Sequence, residues 1–135
     1  VHTYAIANAA QGELRSHGFF FRPSDDGRSG TIGLPIRRSD NATASYLKES
    51  AEVLFLAVSG NLHIAPIDAL RGSTVTQAGA DDGCTTSCVD WYGNTRPIFL
   101  GDRIIALIGS ELIEGTNSGD HLTEVRRTQF STVRP

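Results

Sequence analysis

The residues best suited to chemistry in this chain stand close together. Cys84 and Cys88 lie in "CTTSC", with Asp81 and Asp82 just before them and Asp90, Trp91, Tyr92 and Asn94 just after. A bridge between two cysteines so close in sequence closes a small loop and contributes about 2 kcal/mol at most in the chain-entropy model. Such a pair fits an oxidising compartment. A zinc site needs further ligands at C-x₂-C or H-x₃₋₅-H spacing, which do not accompany this pair, and a redox-active pair is more often C-x-x-C. The disulfide is therefore the expected role. A stapled turn that presents the sole tryptophan beside carboxylates suits a sugar face, a protein partner or a Ca²⁺ ion. In the competing reading, Trp91 and Tyr92 plug a core beneath a long connection and the aspartates are solvated turn formers.

Other candidate groups carry less. "SDDG" at Ser24–Gly27 and "ADDG" at Ala80–Gly83 repeat an acidic turn, but neither has the D-x-[DN]-x-[DN]-G pattern and closing Glu of an EF-hand loop. No cofactor is expected, with Ca²⁺ at an acidic turn the single candidate. His2, His17, His63 and His121 have no metal-like spacing and read as surface or strand residues. Ser, His and Asp are all present, yet there is no G-x-S-x-G elbow, "GTNSGD" matching it only superficially, so the balance leans away from an enzyme. "NAT" at Asn41–Thr43 fits the N-glycosylation acceptor pattern, which has meaning only in a secreted eukaryotic setting.

The whole composition narrows the class. In 135 residues, 39% are hydrophobic, 20% are charged and the net charge is −3, which is the profile of a folded domain and not of disorder. Clustered basic residues, the footprint of a nucleic-acid binder, are absent: Lys48 is the single lysine and the arginines pair only at Arg37-Arg38 and Arg126-Arg127. No apolar run approaches the length of a membrane span and no charged-then-apolar leader opens the sequence. Methionine is missing at every position, the first included, so Val1 reads as the start of a processed product or a fragment.

These groups must be held by strands. Short runs of Ile, Val, Leu and Phe recur between clusters of Gly, Asn, Asp, Ser and Pro. Strands are expected near Tyr4–Ala7, His17–Arg22, Thr31–Arg37, Val53–Val58, Leu62–Ile67, Ile98–Leu100, Arg103–Ile108, Leu112–Ile113 and Leu122–Arg126. One or two helical turns are expected within Ala44–Leu54. Gly60-Asn61, Gly101-Asp102 and Gly109-Ser110 each separate two apolar runs. With Gly first, each predicts a type II′ hairpin turn and hence antiparallel meanders. Along Arg103–Ile108, alternation puts Ile104, Ala106 and Ile108 on one face and Ile105 and Leu107 on the other, so this strand should be central.

Gly60–Ile67 can be laid over Gly101–Ile108 with matches at Gly, Ile, Ala and Ile, 41 positions apart. That offset lies within the roughly 40–45 residues of a propeller blade. "HGFFFRPSDDGRSGTIGLPI", "AEVLFLAVSGNLHIAPI" and "RPIFLGDRIIALIGSELIEG" together resemble the carboxy-terminal blades of bacterial secreted β-propeller-domain proteins. The matching positions are Phe19–Phe21, Leu34-Pro35-Ile36, Val53–Ala57, Arg96, and Gly101-Asp102 with Ile104 to Ile108, and the resemblance runs from Ser16 to Val125. Two features depart from the pattern. Residues 78–95 form a loop insertion with no place in it, and no tryptophan-aspartate blade signature occurs. The chain also holds about two blades where propellers use about 4–8.

The expected fold is thus all-β, with antiparallel meanders making about two blades of a β-propeller across 1–135. A single β-sandwich or barrel is the alternative. A two-blade piece leaves apolar faces and open strand edges, so the resemblance implies a partner: the remainder of the propeller, another chain or a second copy. The expected function is a non-catalytic extracellular binding or assembly module, secreted or periplasmic. Its alternative is a secreted hydrolase or carbohydrate-binding β-sandwich that uses the Cys84–Asn94 loop.

Overall fold

Gly30–Arg38 and Ser50–Val58, each nine residues long, pair antiparallel along their whole length, from Gly30 opposite Val58 to Arg38 opposite Ser50. In the computed structural model, the residues described are 2–7, 9–11, 18–38, 50–72, 95–108, 111–119 and 121–130. They contain nine strands: β1 (Ala9–Gln11), β2 (Phe20–Pro23), β3 (Gly30–Arg38), β4 (Ser50–Val58), β5 (Ile64–Arg71), β6 (Arg96–Leu100), β7 (Arg103–Ile108), β8 (Glu111–Asn117) and β9 (Leu122–Gln129). The strands form two antiparallel sheets, and no α-helix occurs among the described residues. The first sheet runs β1-β3-β4-β5, with β2 sharing the free edge of β3 with β1; the second runs β6-β7-β8-β9. The all-β, antiparallel reading holds at this level.

The sheets face one another across a shared core. Val53, Phe55, Ile67 and Leu70 of the first meet Ile104, Ala106, Ile108, Ile113 and Leu122 of the second. β3 lies over β6, β4 over β7, and β5 over β8 and β9. Each fully buried large side chain, such as Phe55, Ile104 or Ile113, contributes about 1.5–3 kcal/mol by leaving water. The sheets come close enough at one point to require glycine: a Cβ on Gly33 would lie 2.3 Å from Cβ of Pro97. Beside that contact, Phe99 packs 5.5 Å from Phe20 and, edge-on, 5.9 Å from Phe55, ring centre to ring centre. Arg22 stands 5.2 Å over the Phe99 ring and donates to the Gly101 carbonyl at 2.7 Å, so β2 grips the β6–β7 hairpin.

A polar clasp closes the other end. Arg127 of β9 donates to Glu111 at 2.9 Å, to Glu124 at 2.7 Å and, across the sheets, to the Arg71 carbonyl at 3.0 Å. Nearby, Asp68 of β5 accepts from the Leu122 amide at 3.4 Å. The carboxylates beside Arg127 hold its guanidinium in the charged form, raising its pKa further.

Several expected elements are placed differently. Tyr4–Ala7 forms no strand; the first is Ala9–Gln11, and Ile6 instead packs on the first sheet. The helical turn expected within Ala44–Leu54 is overturned at its end, because Ser50–Leu54 belongs to β4; residues 44–49 lie outside the described residues. Glu52 through Leu56 is buried without a break, as befits a strand paired on both edges and covered on both faces, and that context overrides local propensity. β7 has the expected bounds and lies between β6 and β8. Its Ile104, Ala106 and Ile108 face the core while Ile105 and Leu107 are half-buried on the outer face.

The turns also separate. Gly101 has φ +58° and Asp102 does not share the left-handed region, as a type II′ turn requires. Gly60 is not left-handed; Leu62 is, at φ +62°. The reason is loop length. Ser59 donates to the His63 carbonyl at 3.0 Å and Leu62 to the Ser59 carbonyl at 2.8 Å, which closes a three-residue loop whose last residue turns left-handed. Residues equated by the 41-position repeat therefore occupy different places, with β5 starting at Ile64 and β7 at Arg103. Gly109-Ser110 lies outside the described residues.

The strand edges are guarded and not open. β5 carries Pro66 and a register irregularity opposite Phe55 and Leu56, and β6 carries Pro97. β9 is exposed from Thr123 to Gln129 with Glu124, Arg126 and Arg127 along it, and the remaining edge is split between the short β1 and β2. Proline, charge, irregularity and shortness are the devices that stop a further strand from adding.

Candidate functional site

The loop singled out by its chemistry, with Asp81, Asp82, Cys84, Cys88, Asp90, Trp91, Tyr92 and Asn94, lies outside the described residues. Its flanks are placed: the chain leaves the first sheet at the end of β5 and re-enters at Thr95, just before β6 of the second.

The Asp-Asp-Gly turn that can be described is engaged internally. Asp26 accepts from the amides of Arg28 at 2.8 Å and Ser29 at 2.9 Å, and from the Ser29 hydroxyl at 2.8 Å. The Arg28 amide, then the two Ser29 groups, stabilise its charged form and lower its pKa. Gly27, at φ +63°, completes the turn that joins β2 to β3. "ADDG" lies outside the described residues. Among the described residues, no cluster of three or more His, Cys, Asp or Glu could hold a metal ion.

What the fold builds instead is an apolar surface. In β4, Val53, Phe55 and Ala57 point to the inter-sheet core, so Leu54 and Leu56 point the other way. There, on the outer face of the first sheet, Ile36, Leu54, Leu56 and Ala69 form a second cluster, supported by Ile32, Leu34, Ile64 and the Ile6 side chain. Register sets Phe21 opposite Ile32 and Ile32 opposite Leu56, extending this face to β2. An open groove of about 570 Å³ crosses it, lined by Phe19, Phe21, Ile32, Val58, Leu62 and Ile64 with His2 at the rim. Phe19, Phe21 and Leu62 are 50%, 42% and 71% exposed.

Two features of this groove escaped sequence reading. His2 and His63, both read as surface or strand residues, meet with ring centres 4.2 Å apart, and Nδ1 of His2 accepts the Ile64 amide at 3.3 Å. The contact joins residues 61 positions apart and leaves no local signal. The second is Leu62, a large apolar residue in the left-handed region, which costs roughly 1–2 kcal/mol over glycine. Its signal was the Gly-Asn pair before it, which drew the turn one residue too early.

The arrangement can bind apolar surface. Among the described residues its lining holds no carboxylate, lysine, arginine, thiol or hydroxyl, and the His2 imidazole in it accepts a backbone amide. The outer face of the second sheet differs: half-buried Ile105, Leu107 and Leu112 alternate with Arg103, which forks onto Glu114 with one bond of 2.7 Å. That pairing lowers the Glu114 pKa and raises the Arg103 pKa. No helix among the described residues is long and apolar enough to cross a membrane. No family model, curated protein or solved structure matches the chain.

Proposed function

We propose that the chain is a non-catalytic binding or assembly module of an extracellular or periplasmic setting. It works through the outer face of its first sheet. The observation that carries this reading is Phe19, Phe21 and Leu62 standing exposed around a groove whose described lining is almost wholly apolar, on a sheet whose opposite face is already occupied by the core. Contiguous exposed apolar surface of this kind marks interaction sites. A larger β-propeller is the form suggested by the sequence resemblance, because blades cover one another face to face, and two packed antiparallel meanders are compatible with it. The Cys84–Asn94 segment, whose residue types suit a disulfide and a binding loop, is a second candidate for contact.

Uptake of the apolar dye anilinonaphthalene sulfonate by the folded chain tests the reading. Saturable binding is expected under conditions where unfolding by urea is cooperative, weakened about tenfold by Phe21→Ser. A folded chain that takes up no dye, or whose uptake ignores Phe21→Ser, overturns it.

A further inference from the structure

We infer that residues 2–7 form a strap beside the groove, which a neutral His2 holds down and acid releases. The inference rests on the reading of the first sheet's outer face as a docking surface, and deepens it by naming what regulates access to that face.

Three observations converge on it. First, a backbone amide has only a proton to give, so the His2 Nδ1 that meets the Ile64 amide at 3.3 Å must present a lone pair. The bond lasts only while that imidazole is neutral. Protonation makes Nδ1 a donor and sets one N–H against another. Second, the His63 ring lies 4.2 Å away, ring centre to ring centre, on the loop that leads into β5. Two imidazolium rings at that separation repel, and histidine is the side chain that ordinarily changes charge between about pH 5 and 8. Third, the strap holds the face at two points: His2 lines the groove, and Ile6 packs on the cluster of Ile36, Leu54, Leu56 and Ala69. Loss of the His2 contact removes one wall of the groove and leaves Ile6 as the remaining hold.

The surroundings do not offset the new charge. Phe19, Phe21, Ile32, Val58 and Ile64 bring no carboxylate to the lining. The β4–β5 loop brings Ser59 and Asn61, which are uncharged and bonded to each other. The β2–β3 turn lies against Gly60 through Arg28, a further cation. Of that turn's carboxylates, Asp26 is engaged by the Arg28 and Ser29 amides and Asp25 is exposed. On the strap itself the one further titratable group is the Tyr4 phenol.

Amide NMR spectra of the full chain at about pH 7.5 and about pH 5.5, where urea unfolding stays cooperative, are the test, read beside uptake of Nile red. Nile red is uncharged, so histidine charge does not itself draw it in. On acidification the Ile64 amide should shift and exchange faster with solvent, and dye uptake sensitive to Phe21→Ser should rise about fivefold. His2→Asn puts an amide oxygen near the place of Nδ1 and takes up no proton, so it should hold the strap down and keep uptake flat across the range. An Ile64 amide that does not respond to pH overturns the switch, and so does a response that survives His2→Asn. Strap release without a rise in uptake overturns its hold on the groove. If the Phe21-dependent uptake is then present and flat, the docking-surface reading survives alone; if it is missing at both pH values, that reading falls as well.

Discussion

The two sheets are built alike and meet water differently. Both are antiparallel meanders, and both give one face to the same core. The first then repeats an apolar cluster on its outer face, from Ile36 to Ala69, whereas the second returns to charge, with Arg103 on Glu114 and a β9 edge that is polar almost throughout. Its outer aliphatics are half-buried and interrupted. The first sheet therefore behaves as an inner layer and the second as an outer one. A sheet apolar on both faces has to be covered twice; on the outer face Ile36, Leu54, Leu56 and Ala69 are buried, and among the described residues Ile6 packs there and His2 bonds beside it.

The comparison breaks most readily where the sheets touch. Gly33→Ala should destabilise by about 2–3 kcal/mol, because the new methyl meets the Pro97 ring and strand backbones must part to admit it. Gly115→Ala, on the second sheet, should cost under about 1 kcal/mol, since its Cβ would lie 3.1 Å from a Leu70 methyl that can rotate away. Urea midpoints at equal slope measure both. Equal losses would mean that the close approach at Pro97 is not there.

A smaller effect separates the hairpins. Gly101→Val should cost about 1–2 kcal/mol, since a β-branched residue resists φ +58°, while Asp102→Ala and Gly60→Ala should each stay within about 0.5 kcal/mol. Thermal unfolding of the three variants decides it. A cost at Gly60 matching that at Gly101 would restore the two-residue turn at Gly60-Asn61.

The smallest effect is electrostatic and sits on the first sheet. The Asp26 pKa is lowered in the folded chain, so its contribution is present above the unfolded carboxylate pKa and is lost as pH falls through the folded value. Asp26→Asn keeps the amide acceptor without the charge. It should be slightly less stable than the wild type at neutral pH, with the difference closing in acid. A difference independent of pH would show that charge plays no part in the turn.

How far the sequence could be read follows the range of the interactions. β7 was legible to the residue because Arg103–Ile108 is a continuous apolar run after one arginine and is preceded by a turn whose glycine needs its own conformation. β4 was legible in its apolar run but hidden at its start, where Ser50–Glu52 looks helical until β3 and β5 pair with it. The groove was beyond local reading, since it gathers His2, then Phe19 and Phe21, then Ile32, then Val58, Leu62 and Ile64 from four separate stretches. The expected site at 81–94 rested on residue types alone, with no periodicity to fix its backbone. Guarded edges were present in the letters as Pro66 and Pro97, yet which strands are edges is a property of topology.

The clasp of Arg127 and Asp68 has a consequence in the order of synthesis. β1 to β5 leave the ribosome before any strand of the second sheet, so for a time the first sheet's inner face has no second sheet to cover it. At about 5–20 residues per second, several seconds pass between Arg71 and the arrival of Arg127, the residue that ties β9 back to it. In that interval Val53, Phe55 and Leu70 are presented beside Leu54 and Leu56 on a single nascent sheet. Until β9 docks, those side chains have only the first sheet's own residues to pack on.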